Sequence, residues 1–143
     1  MIFASQGLRR KKNTLQTYKF LESVGVKTNC VDKEGKNPLH AIAYNGKDLE
    51  TYTYFISKGV NVNLQDNKGQ TPFMNAANNN TLEIIKFLSK KVTNINLKNK
   101  KGHSALTMAV KRNTKDVLQF LLDKGANIDT KDIDGNTLSY YLM

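Results

Sequence analysis

The amino-acid sequence predicts an all-α solenoid, built of stacked helix-turn-helix units joined by β-turn or hairpin loops. Two echoes carry that prediction. Gly35, Gly69, Gly102 and Gly135 stand 34, 33 and 33 residues apart. Each sits in a similar phrase: Asp32-Lys-Glu-Gly-Lys-Asn-Pro-Leu-His, Asp66-Asn-Lys-Gly-Gln-Thr-Pro-Phe-Met, Asn99-Lys-Lys-Gly-His-Ser-Ala-Leu-Thr and Asp132-Ile-Asp-Gly-Asn-Thr-Leu-Ser-Tyr. The second echo starts ten residues before each glycine: Gly25-Val-Lys-Thr-Asn, Gly59-Val-Asn-Val-Asn, Val92-Thr-Asn-Ile-Asn and Gly125-Ala-Asn-Ile-Asp. A fixed period of this length defines units that bury their apolar faces against their neighbours rather than around one central core. The register gives a partial unit at 1–31 with a basic inserted loop, full units at 32–65, 66–98 and 99–131, and a partial unit at 132–143.

Within the unit 66–98, Asp66-Asn-Lys-Gly69 is a turn, with an Asx residue opening it and a glycine free to take positive φ closing it. Thr71 caps a first helix with its hydroxyl, and Pro72 suits the first helical position, where a missing N–H costs nothing. That helix runs from Phe73 to Asn78, and the run Asn78-Asn79-Asn80 breaks it. Thr81 opens a second helix whose apolar stripe is Leu82, Ile84, Ile85, Phe87 and Leu88. Lys86, Lys90 and Lys91 fall on its outer side or last turn, where cations suit the helix dipole. The other units repeat the pattern, with Asn37, Ser104 and Thr137 in the cap position and Pro38 matching Pro72. Gly25, Gly59 and Gly125 are expected to end second helices in the left-handed conformation. Val92 holds the same slot and, being β-branched, predicts a different ending. The 34-residue interval places one extra residue near Lys47-Asp48.

These phrases resemble the ankyrin repeat, whose pattern includes Thr-Pro-Leu-His-x-Ala and a closing Gly-Ala-x-x-Asn. The nearest matches are Asn37-Pro-Leu-His-Ala-Ile-Ala43, Thr71-Pro-Phe-Met-Asn-Ala-Ala77 and Gly125-Ala-Asn-Ile-Asp129, and the resemblance covers residues ~13–143. At the N-terminus, Ile2–Gly7 resembles the end of a first helix and Asn13–Ser23 a second helix, with a longer turn, Leu8–Asn13, between them. At the other end the register stops inside a first helix, at Tyr140–Met143. Both ends are therefore expected to be cut from a longer array, with Tyr140, Tyr141 and Leu142 forming a sticky end or packing back on the third unit.

The resemblance implies protein binding at the turn tips and at the exposed side of the first helices, which line a concave groove. Carried onto matching positions, the expected partner-binding residues are Lys33, Lys36, Tyr44, Lys68, Gln70, Asn78, Lys100, Lys101, His103, Lys111 and Arg112. Read one at a time, the lysines among them are solvated turn residues. His40 takes the place of a structural histidine that hydrogen-bonds between units, whereas His103, on a tip, is a surface contact.

The formal charge is +10, distributed as +5 over 1–31, zero over 32–65, +3 over 66–98, +4 over 99–131 and −2 beyond. Most of it is lysine, which supplies a diffuse field rather than bidentate recognition. With 17 asparagines beside it, the lysine content also fits a coding bias. The expected partner is a protein of acidic or mixed charge. Alternatives are a nucleic acid or other polyanion on the same basic patch, or a targeting role within a larger enzyme or effector. The run Arg9-Arg-Lys-Lys12 reads as a solvated loop, a patch for an acidic partner or nucleic acid, or a nuclear-targeting cluster. Nucleic-acid binding usually adds aromatic stacking or arginine forks, and here the charge stands alone.

No catalytic motif is present, so no enzyme activity, small-molecule substrate or cofactor is expected. The single cysteine, Cys30, cannot pair internally, and no Cys/His set has zinc spacing, so no metal is expected. No stretch reaches the ~20 apolar residues of a spanning helix, so membrane insertion is not expected. The first residues lack the order of a signal peptide, which favours a cytoplasmic location.

Overall fold

A computed structural model describes residues 30–44, 46–112 and 114–138, together with Gln16, Lys19 and Ser23. Those last three are helical and exposed; the rest of the second helix expected at Asn13–Ser23 lies outside the described residues. The basic run at 9–12, Gly25, the chain-end aromatics and the first helix expected at 140–143 lie outside the described residues.

Six helices are described: α1 (Pro38–Ala43), α2 (Leu49–Ser57), α3 (Pro72–Asn79), α4 (Leu82–Ser89), α5 (Ala105–Arg112) and α6 (Lys115–Asp123). The first helices α1, α3 and α5 pack side by side, each second helix folds back on its own first helix, and α4 packs against α6. Such short helices are marginal alone, so neighbouring units supply their stability. Small residues let the first helices approach closely: Ala43, Ala76, Ala77, Ala105 and Ala109 are all buried. Tyr52, Phe55, Ile84, Ile85, Leu88, Val117 and Leu121 fill the layer between first and second helices.

The helix starts follow the sequence. Thr71 Oγ1 accepts the Met74 N–H at 3.2 Å, and Pro72 opens α3. Ser104 does the same for Thr107 N–H at 3.4 Å. At α1 the cap is reciprocal: Asn37 Oδ1 accepts the His40 N–H while His40 Nδ1 accepts the Asn37 N–H. His40 thus takes the part that glutamate plays in a capping box.

The second helices end in two ways. Gly59 and Gly125 have φ of 87° and 95°, and in both cases the following N–H reaches back into the last turn: Val60 to the Phe55 carbonyl, Ala126 to the Leu121 carbonyl. Those are Schellman motifs. At Val92 there is no positive φ, and α4 closes through Lys91 N–H to Leu88 O instead.

The additional residue of the first unit lies between its helices. The caps Asn37 and Asp48 are eleven positions apart, against ten for Thr71 and Thr81. One expectation needs correction. The run Asn78-Asn79-Asn80 does not break α3 at its start: Asn78 and Asn79 are helical, and the helix stops only at Asn80.

Candidate interaction surface

Each turn is built by one side chain. Oδ1 of Asp32, Asp66, Asn99 and Asp132 accepts two backbone N–H groups, from Glu34 and Lys36, Lys68 and Gln70, Lys101 and His103, and Asp134 and Asn136 respectively, all at 2.8–3.0 Å. Successive turns are then tied together. Asn67 N–H donates to Glu34 O at 2.9 Å, Lys100 N–H to Lys68 O at 2.9 Å, and Ile133 N–H to Lys101 O at 3.1 Å. The glycine is needed twice over. Gly69 has φ 77°, and a Cβ there would sit 2.9 Å from the backbone nitrogen of Lys100. Its place in the turn was legible; the close approach of the next turn was not.

The ladder sorts the expected contact residues by position. Lys33, Lys68, Lys100 and Lys101 stand on the crest and are exposed. The residue after each glycine is half-buried, because the chain there is already returning toward its helix. Lys36 pairs with Glu34 at 3.5 Å. Gln70 donates to Asn75 Oδ1 and accepts from Asn99 Nδ2, both at 2.9 Å. His103 is no open surface contact: its Nε2 lies 3.6 Å from Asp132 Oδ2 of the next turn. Burial, with Lys111 nearby, lowers the His103 pKa, against the opposing pull of Asp132. Gln70 and His103 therefore bind neighbouring units and leave the proposed contact set.

On the first helices, Tyr44, Asn78 and Lys111 occupy one register. Tyr44 is 47% exposed, Lys111 is exposed and Asn78 is half-buried. Arg112 ends α5, and its side chain lies outside the described residues. One turn earlier the same stripe holds exposed Ala41 and half-buried Met108, which their small or apolar character concealed in the sequence.

Between the first helices runs a polar seam. His40 is fully buried, and its Nε2 donates to Gln70 O at 2.9 Å. Desolvation by burial holds its pKa below the usual 6.5, outweighing the bond to Gln70. From α3, Asn75 Nδ2 donates to His40 O at 3.0 Å, Asn79 Nδ2 to Tyr44 O at 3.3 Å and Asn80 Nδ2 to Ala43 O at 2.9 Å. Three asparagines of one unit thus satisfy carbonyls at the end of the helix in the unit before, groups that a helix cannot satisfy itself. A composition-level reading as coding bias missed them.

A cleft between the second and third units, lined by Thr71, Phe73, Met74, Val92 and Ala105, encloses about 10 Å³, room for about one water. Among the described residues no three His, Cys, Asp or Glu side chains gather as a metal set, and no helix is long and apolar enough to cross a membrane.

A family model for ankyrin repeats (3 copies) matches residues 2–99 and, overlapping, 42–132. The chain belongs to the ankyrin-repeat family. Comparison with curated proteins gives no match. Ankyrin repeats are in general protein–protein interaction modules and typically non-catalytic.

Proposed function

We propose that this ankyrin-repeat protein is a scaffold that binds a partner protein through its turn crest and the exposed side of its first helices. One observation carries the reading. Lys68, Lys100 and Lys101 stand exposed on a hydrogen-bonded frame and form no ion pair among the described residues. Charge on a rigid frame with no internal partner is available to steer association, while affinity comes from a few desolvated anchors. Tyr44 is such an anchor, an aromatic side chain held at the end of α1 whose carbonyl Asn79 fixes. The excess of lysine favours a partner of acidic or mixed charge.

Selection of peptides from a displayed library against the immobilised protein tests this. Selected peptides should lose roughly tenfold in affinity on Tyr44→Ala or Lys101→Glu, and be indifferent to Lys86→Glu on the outer face. Binders indifferent to both Tyr44→Ala and Lys101→Glu would sink the proposal. Oligonucleotide binding that ignores sequence and falls steeply with salt would favour a polyanion instead.

A further inference from the structure

The exposed charges of the crest follow an order that the net charge conceals. At the first turn Lys33 adjoins Glu34, which Lys36 pairs. The second turn offers Lys68 alone, the third offers Lys100 and Lys101, and the fourth offers Asp134 beside Ile133, which is 69% exposed. The Asx residues that open the turns do not share this crest, since their Oδ1 atoms are engaged by backbone N–H groups. Beneath the crest the carboxylate of Asp66 lies at the second turn, whereas the neutral Asn99 holds that place at the third, so Lys100 and Lys101 are the strongest positive point of the crest. From the second turn to the fourth the crest therefore reads positive, doubly positive, negative. The ladder bonds between turns hold this order in place.

We infer that the crest recognises an extended peptide segment carrying two carboxylates about three residues apart and, about three residues further on, a cation. This rests on the crest being the docking surface. The spacing follows from geometry: packed helices stand about 8–10 Å apart, and an extended chain advances about 3.3 Å per residue, so each turn meets about three residues. The carboxylates face Lys68 and the Lys100–Lys101 pair, and the cation faces Asp134. A long polyanion fits this order less well, because it meets like charge at the fourth turn and finds lysines without the arginine forks of phosphate recognition.

The test uses two synthetic peptides of identical composition. In the matched one, two glutamates and then a lysine are separated by Ser-Gly spacers. In the isomer the lysine lies between the glutamates, which mispairs it with the third turn in either chain direction. Both have the same net charge, so the overall +10 of the protein does not distinguish them. Titration is followed by the amide chemical shifts of the four turns at low salt. The matched peptide should bind at least about fivefold more tightly, the gap should close in about 1 M salt, and Asp134→Asn should narrow it. Lys101→Glu should abolish the preference while circular dichroism stays unchanged. Equal binding of both peptides at the crest overturns the charge order and leaves the docking surface standing. Shifts confined to other faces overturn both. A single-stranded oligonucleotide that shifts all four turns, including those of Glu34 and Asp134, overturns the inference in favour of a polyanion.

Discussion

At the scale of single residues, two glycines with the same backbone sign do different work. Gly59 has φ 87° with nothing within 4 Å of a Cβ, whereas Gly69 has φ 77° with the Lys100 nitrogen at 2.9 Å. Gly59→Ala should therefore cost only the left-handed strain, about 1 kcal/mol. Gly69→Ala adds displacement of the next turn and should cost about 2–3 kcal/mol, both read from urea unfolding. His40 sets a pH dependence. Its folded pKa lies below its unfolded value of 6.5 because burial disfavours the cation. Above that value both states are neutral and the stability is fully present. As pH falls through it the unfolded chain takes up a proton that the folded one resists, so stability declines. His103 is shifted the same way and adds to the slope. Urea midpoints measured between about pH 7.5 and about pH 5.5 should fall. His40→Asn should be less stable at the upper pH yet show a shallower decline.

At the scale of elements, the longer turn between α1 and α2 is held from two sides. The Tyr52 hydroxyl lies 2.9 Å from Ile42 O and 2.6 Å from Gly46 O, and Asn80 Nδ2 lies 3.0 Å from the same Gly46 oxygen and 3.2 Å from the hydroxyl. Burial raises the Tyr52 pKa, so the group stays a neutral donor. Tyr52→Phe should cost about 1–2 kcal/mol and Asn80→Ala about 1–3 kcal/mol. Because they share Gly46 O, the double variant should depart from additivity by about 0.5 kcal/mol or more in a thermal-unfolding cycle. The position of this turn was legible as a 34-residue interval, and so were the caps at Asn37, Thr71 and Ser104, since all depend on local chemistry. The bonds that hold it were not, because Asn80 and Gly46 are 34 residues apart and an asparagine after two others reads locally as a breaker. The surface divides the same way. Lys68, Lys100 and Lys101 could be placed on the crest from the turn alone. The inward set of Gln70 and His103 follows from partners in the next unit, Asn99 and Asp132, which no single repeat reveals.

At the scale of the whole molecule, the main helix–helix contacts among the described residues join neighbouring units, so stability should behave as a chain of linked terms. The link between the second and third units rests on close packing of α3 and α5, where Ala76, Ala105 and Ala109 are at most 2% exposed. Ala109→Leu adds three carbons to a space already filled, which costs about 1–3 kcal/mol. In a protein with one central core that cost would lower protection from hydrogen exchange throughout. Here the seam of Asn75, Asn79 and Asn80 still ties α3 to α1. Amides of α5 and α6 should therefore lose protection while those of α1 and α2 retain theirs, as measured by residue-resolved exchange in the native state. A uniform loss across all six helices would show instead that the units unfold as one, and that the asparagine seam does not isolate the first pair from the third.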